Sequence, residues 1–88
     1  MIPPTVGRKV WYSPTAADAD FSTKLGEQPF DATIVYVHSD RRVNLACFNH
    51  RGYPLLRQGV TLLQDEDAPT PGGGHCSWMP YQIGQAKK

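Results

Sequence analysis

The sequence predicts a small all-β domain, a barrel of four to five short strands with room for a short helix in the first long loop. Three observations predict it. The first is a hairpin pattern over residues 31–49, where two β-rich runs flank the polar break Ser39-Asp40-Arg41. The second is punctuation: 88 residues carry eight Pro and eight Gly, which cut the chain into short elements. The third is the crowding of Leu, Ile, Val and Phe between Ile34 and Leu63, in a chain that is 40% hydrophobic overall.

Ile2-Pro3-Pro4 reads as a stiff, extended lead-in with few backbone donors, placed outside the domain as residues 1–5. The domain itself is assigned to residues 6–81. Its first strand covers residues 8–12, with Val10 and Tyr12 on one face and Lys9 and Trp11 on the other. Ser13-Pro14 has the form of a helix start, Ser capping and Pro at the first helical position. A helix of about two turns would follow to Phe21, with Asp18 and Asp20 near the favourable end of its dipole and Ala17 packing on Phe21. Residues 22–29 are polar, contain Gly26 and Pro29, and read as loop.

In the hairpin, strict alternation places Ala32, Ile34, Tyr36 and His38 on one face and Thr33, Val35 and Val37 on the other. The returning run sets Val43, Leu45 and Cys47 opposite Asn44, Ala46 and Phe48. Neither face is wholly polar, so both strands are expected to be central. Gly52 marks the next turn, Pro54 starts an approach, and a further strand is expected over residues 59–63. Asp65-Glu66-Asp67 then ends regular structure as three solvated like charges. The Pro- and Gly-rich residues 68–74 read as a flexible connector. Residues 75–81 are short and apolar, and are expected to close the barrel or cross its edge. Residues 82–88 bury little and read as a tail. Strands of this number and length, one hairpin and a long first loop specify an SH3-like barrel, with an OB-type barrel as the next choice.

A net charge of +1 and a pI near 7.8 provide no field for nucleic acid or anionic membrane. No apolar run is long enough to span a bilayer, and the N-terminus lacks the charged and apolar regions of a signal peptide. A cytoplasmic location is expected. Two cysteines are too few for a disulfide scaffold, and free thiols are expected.

Four constellations bear on function. Cys47, His50, His75 and Cys76 make up a tetrahedral zinc set by residue type. Their spacing matches no standard motif, and alternation makes Cys47 a core residue, so no metal or other cofactor is assigned. No nucleophile elbow, phosphate loop or H-E-x-x-H motif occurs, and Gly72-Gly73-Gly74 reads as a hinge, so an enzyme is not expected. Aromatic residues are numerous: Trp11, Tyr12, Tyr36, Phe48, Tyr53, Trp78 and Tyr81. Most are assigned to the core. Trp11, off the Val10/Tyr12 face, and Trp78, in a loop-rich segment, are the candidate binding aromatics, with His75 beside the Gly run. Arg41 and Arg42 at the hairpin tip complete the candidate binding set; with Lys9, Arg51 and Arg57 they could meet phosphates, although tip charges more often serve to block edge pairing.

The order of these pieces resembles a family of small uncharacterised bacteriophage proteins. Its members start with (V/I)-G-R-x-V-H-Y, continue through A-x-I-V-x-V-(H/W)-S-D and V-N-L-x-V-F, and end near G-T-W/F-x-W-P. The matching residues are Val6-Gly7-Arg8-Lys9-Val10-Trp11-Tyr12, then 32–40, then Val43-Asn44-Leu45-Ala46-Cys47-Phe48, then 74–80. Trp11 stands where the family usually has His, and the closing motif is looser. The resemblance implies phage origin and a compact β fold, and it carries no catalytic residues. The expected function is that of a non-enzymatic binding protein, a virion-associated or assembly accessory such as a head-decoration or tail component. Its expected partners are protein, either its own copies or other phage subunits, in the host cytoplasm or the virion. An alternative expectation is an early accessory protein that captures a host factor or a small nucleotide signal. Nucleic acid and membrane are not expected partners.

Overall fold

Five strands close into a barrel because Cys76 finds an apolar neighbour on each side. In the computed structural model, which describes residues 1–15, 17–21, 28–64, 67–68, 73–80 and 82, the strands are β1 (Lys9–Ser13), β2 (Phe30–Ser39), β3 (Arg42–Phe48), β4 (Pro54–Leu63) and β5 (His75–Ser77). Neighbours run antiparallel in chain order from β1 to β4. β5 then lies antiparallel to β1 and parallel to β4, pairing Cys76 with both Tyr12 and Leu62, and the sheet closes. The protein is a small SH3-like barrel, as its strand pattern predicts.

The register explains the core. Val10 pairs with Ala32, Ala32 with Cys47, Ile34 with Leu45, and Val43 with Val60. These side chains point inward and are buried together with Tyr12, Phe21, Phe30, Leu62, Cys76 and Trp78.

Strict alternation fails in β2. The register slips between Ile34 and Tyr36, so Val35 is an extra residue opposite β3. One inserted residue exchanges the faces of everything beyond it. Val37, not Tyr36, therefore packs against the core, while Tyr36 and His38 are exposed, ring against ring at 4.8 Å. β4 also departs from expectation, running as one strand of 10 residues from Pro54 rather than starting at Gly59. Two residues of β3 span three of β4 between the Val43–Val60 and Leu45–Arg57 pairs, and Gly59 takes φ +62° in the extra length. Its N–H donates to Asn44 Oδ1 at 2.9 Å, which holds the bulge.

The expected helix after Ser13 is reduced to a single 3-10 turn, Ala19–Phe21. Ser13 is a strand residue paired with His75, so it caps nothing. Ala17 is exposed rather than buried with Phe21. The physical reason is tertiary. Phe21 is drawn between the rings of Tyr12 and Phe30, at 5.2 and 4.8 Å, while Asp18 and Asp20 turn to Arg57. The expected loop over residues 22–29 falls largely outside the described residues.

One residue of the lead-in, Ile2, joins the core. Ile2 is buried, its N–H donates to Gln64 Oε1 at 3.0 Å, and its carbonyl accepts from Gln64 Nε2 at 3.1 Å. Gln64 also donates to the Asp40 carbonyl and accepts from Trp78 Nε1. One buried amide thus joins the N-terminus, the hairpin tip and the closing segment, with its donors and acceptor satisfied as burial requires. Of the expected tail, Gln82 is held by bonds to the Met79 N–H and the Lys9 carbonyl, and residues 83–88 lie outside the described residues.

Candidate binding surface

The barrel interior is filled. Val10, Ala32, Ile34, Val43, Leu45, Cys47, Leu62 and Cys76 are all at 0% exposure, so the lumen is a packed core rather than a ligand cavity. A ligand must therefore meet the outside, and the outer face of β1–β4 carries a group of apolar side chains. Register sets Lys9, Thr33, Ala46 and Leu56 in one row across the four strands. The neighbouring row holds the pairs Trp11–Asp31 and Phe48–Pro54. Trp11, Ala46 and Phe48 are half-buried, and Leu56 is 72% exposed, the most exposed large apolar residue among the described residues. The charged groups in these two rows are Lys9 and Asp31. Lys9 Nζ lies 3.1 Å from Asp31 Oδ2 and 5.5 Å from the Phe48 ring centre.

Of the predicted binding residues, Trp11 stands on this face. Trp78 does not. It is 3% exposed, donates its indole N–H to Gln64, and has the Arg8 guanidinium 5.8 Å from its ring centre. Its segment is loop-like in sequence, but β5 ends immediately before it and delivers the ring into the core. His75 is also buried, at 8% exposure, with Nδ1 lacking a hydrogen-bond partner. Arg42, Thr61, His75 and Ser13 stand in one line across β3, β4, β5 and β1, so Arg42 and His75 share a face with Thr61 between them. Arg42 donates to the Gly59 carbonyl at 3.3 Å. Arg41 donates through Nε to Asp67 Oδ2 at 2.9 Å. Asp67 is therefore a fixed partner and not merely a solvated charge. Arg41, and then the Gln64 N–H, hold its carboxyl below the ordinary carboxylate range. Tyr36 and Tyr53, expected in the core, are exposed.

The four zinc-type residues are dispersed, and the described residues contain no cluster of three metal-ligating side chains. Cys47 and Cys76 point inward, His75 occupies the opposite face of its own strand, and His50 stacks on Phe30 at 4.1 Å. Gly73 and Gly74 press against the chain at Ser13 and Pro14, with the Gly74 N–H donating to the Ser13 carbonyl at 2.6 Å. That is a close backbone approach, where a hinge was expected.

Burial pushes both thiols up, from an ordinary 9.0 to about 12, with Arg57 partly opposing the effect at Cys47. Thiolate is the reactive form, so both should resist iodoacetamide at pH 8 in the folded protein and react rapidly once it is unfolded. The linkage has a definite sign. Raised pKa values give stability that is complete below pH 9 and is lost as pH climbs from 9 towards about 12. Urea midpoints that stay level over that interval would contradict the burial.

Sequence reasoning missed the most organised polar cluster. Arg57 donates through Nε and Nη2 to both Asp18 oxygens, at 2.9–3.2 Å, and through Nη2 to Asp20 at 2.8 Å. Its guanidinium lies 5.3 Å from the Phe21 ring centre. Asp20, and then Asp18, raise the Arg57 pKa further against the opposing effect of burial. Tyr12 is raised too, by burial first and the Asp18 charge second. A signal did exist: Arg57 shares the inward phase of Leu55 on β4, and an inward Arg needs an acid such as the Asp-x-Asp of the first loop. Its role is to fasten that loop to the barrel.

No helix among the described residues is long and apolar enough to cross a membrane. No family model matches the chain, and no curated protein or solved structure matches it either.

Proposed function

We propose that the protein is a phage-encoded, non-enzymatic binding module, a virion-associated or assembly accessory of the head-decoration or tail type. One observation carries this reading: the outer face of β1–β4 presents Trp11, Phe48 and Leu56 around a single exposed ion pair. Aromatic anchors beside an exposed aliphatic residue are what protein interfaces use at their centres. A filled lumen and buried thiols support binding over catalysis, and the sequence motifs support the phage source. The partner is protein, and the site of action is the host cytoplasm or the particle. No observation favours the nucleotide alternative, since His75 and Trp78, which would grip the base, are themselves buried.

The test is mass spectrometry of purified particles carrying either the native chain or Leu56→Asp. Leu56 is exposed, so the variant should still fold with a cooperative unfolding transition and yet be depleted from particles at least tenfold. Repeated failure to find the native chain in particles sinks the accessory reading.

A further inference from the structure

The charges in these two rows of the outer face bear on which partner the surface fits. Lys9 and Asp31 sit on adjacent strands, opposite in sign and each about half exposed, at 47% and 55% of the side chain. The two rows are therefore neutral as a whole but polar in their middle, and Arg42 lies outside them, farther along the outward side of β3. A two-fold axis maps a patch onto itself. A patch of one sign would then meet its own sign and repel, whereas a plus–minus pair meets a minus–plus pair. Neutrality also removes any preference for polyanions or acidic peptides. The apolar residues follow the same logic, since Leu56 and the half-buried Trp11 and Phe48 lie around the pair and lose their remaining exposure against a like surface.

We infer that this face pairs with a second copy of the chain, across a two-fold axis that sets Lys9 of each copy against Asp31 of the other. The inference rests on reading the face as a binding surface and adds the identity of its first partner. Two outer faces pack as stacked sheets, about 10 Å apart, a gap that a lysine side chain spans. Four charges then form one alternating network where each copy alone has an exposed pair of little worth.

The experiment is a charge-swap mixing series read by light scattering. The native chain should be a dimer in the micromolar range. Lys9→Asp leaves two acids on the face and Asp31→Lys leaves two bases, so each variant alone should be monomeric. Mixed in equal amounts, the two should restore the dimer as a heterodimer, a recovery that contacts within one chain cannot produce. Cooperative transitions in both variants, at midpoints matching the native chain diluted until it is monomeric, would show that their folds survive, as expected for an exposed pair. Leu56→Asp, with its charges untouched, should also be monomeric. A monomeric native chain, single variants that dimerise as the native chain does, or a mixture that stays monomeric would each overturn self-pairing. Recovery of the monomer in particles would still leave the accessory reading standing, and a dimer never found in particles would overturn only that reading.

Discussion

Arg57→Ala should lower folding stability by about 3 kcal/mol, the range for removing one partner of a largely buried ion pair. The Asp18 side chain is only 13% exposed, and Arg57 supplies three of its contacts. Without the guanidinium, Asp18 must stay charged and poorly solvated, or the 3-10 turn must leave the barrel. If it leaves, Phe21 loses its place between Tyr12 and Phe30, and the aromatic contacts go with it. Asp20 is more exposed and contributes less to the loss. Urea denaturation of Arg57→Ala, Asp18→Ala and the double variant forms a cycle. The double variant should be less destabilised than the sum of the two single changes, because it leaves no orphan charge. Additive losses would mean that the pair is not coupled and that Arg57 acts through packing alone.

Gly73→Ala should be comparably damaging, by about 3 kcal/mol, for a backbone reason. Gly73 has φ +82°, and a Cβ there would stand 2.9 Å from the Pro14 carbonyl carbon and closer still to its oxygen. Neither atom is the end of a flexible side chain. The Ser13-Pro14 segment must move, and it is tied to β5 through the Ser13–His75 pair and the Gly74 N–H. Gly52→Ala is the control. Its φ is +89° and nothing lies within 4 Å, so it bears only the conformational cost, on the order of 1–2 kcal/mol. The difference between the two urea midpoints measures the close approach itself, and equal midpoints would remove it from the account.

These two sites show where sequence reading stops. Glycine at 73 reads as freedom in one dimension, and the same glycine is a constraint once Pro14 lies against it. Asp18 and Asp20 read as helix-dipole residues until an arginine 37 to 39 positions away claims them. Trp78 reads as loop because its segment follows a Gly run and precedes Pro80, while its indole meets Gln64 and Arg8, both distant in sequence. In each case the deciding partner is non-local.

What the sequence by itself determined was the fold class, the central hairpin, the Val10/Tyr12 face of β1 and the inward placement of Val43, Leu45 and Cys47. All of these follow from period-2 alternation and from Pro and Gly punctuation, which act between residues a few positions apart. Only the tertiary structure decided that β2 bulges at Val35, that the N-terminal Ile2 enters the core, and that Trp78 is buried while Trp11 keeps the outward place that alternation gives it. Those outcomes depend on barrel closure. Once Cys76 pairs with both Tyr12 and Leu62, a fixed interior volume chooses which side chains can share it, and every remaining residue is placed by exclusion.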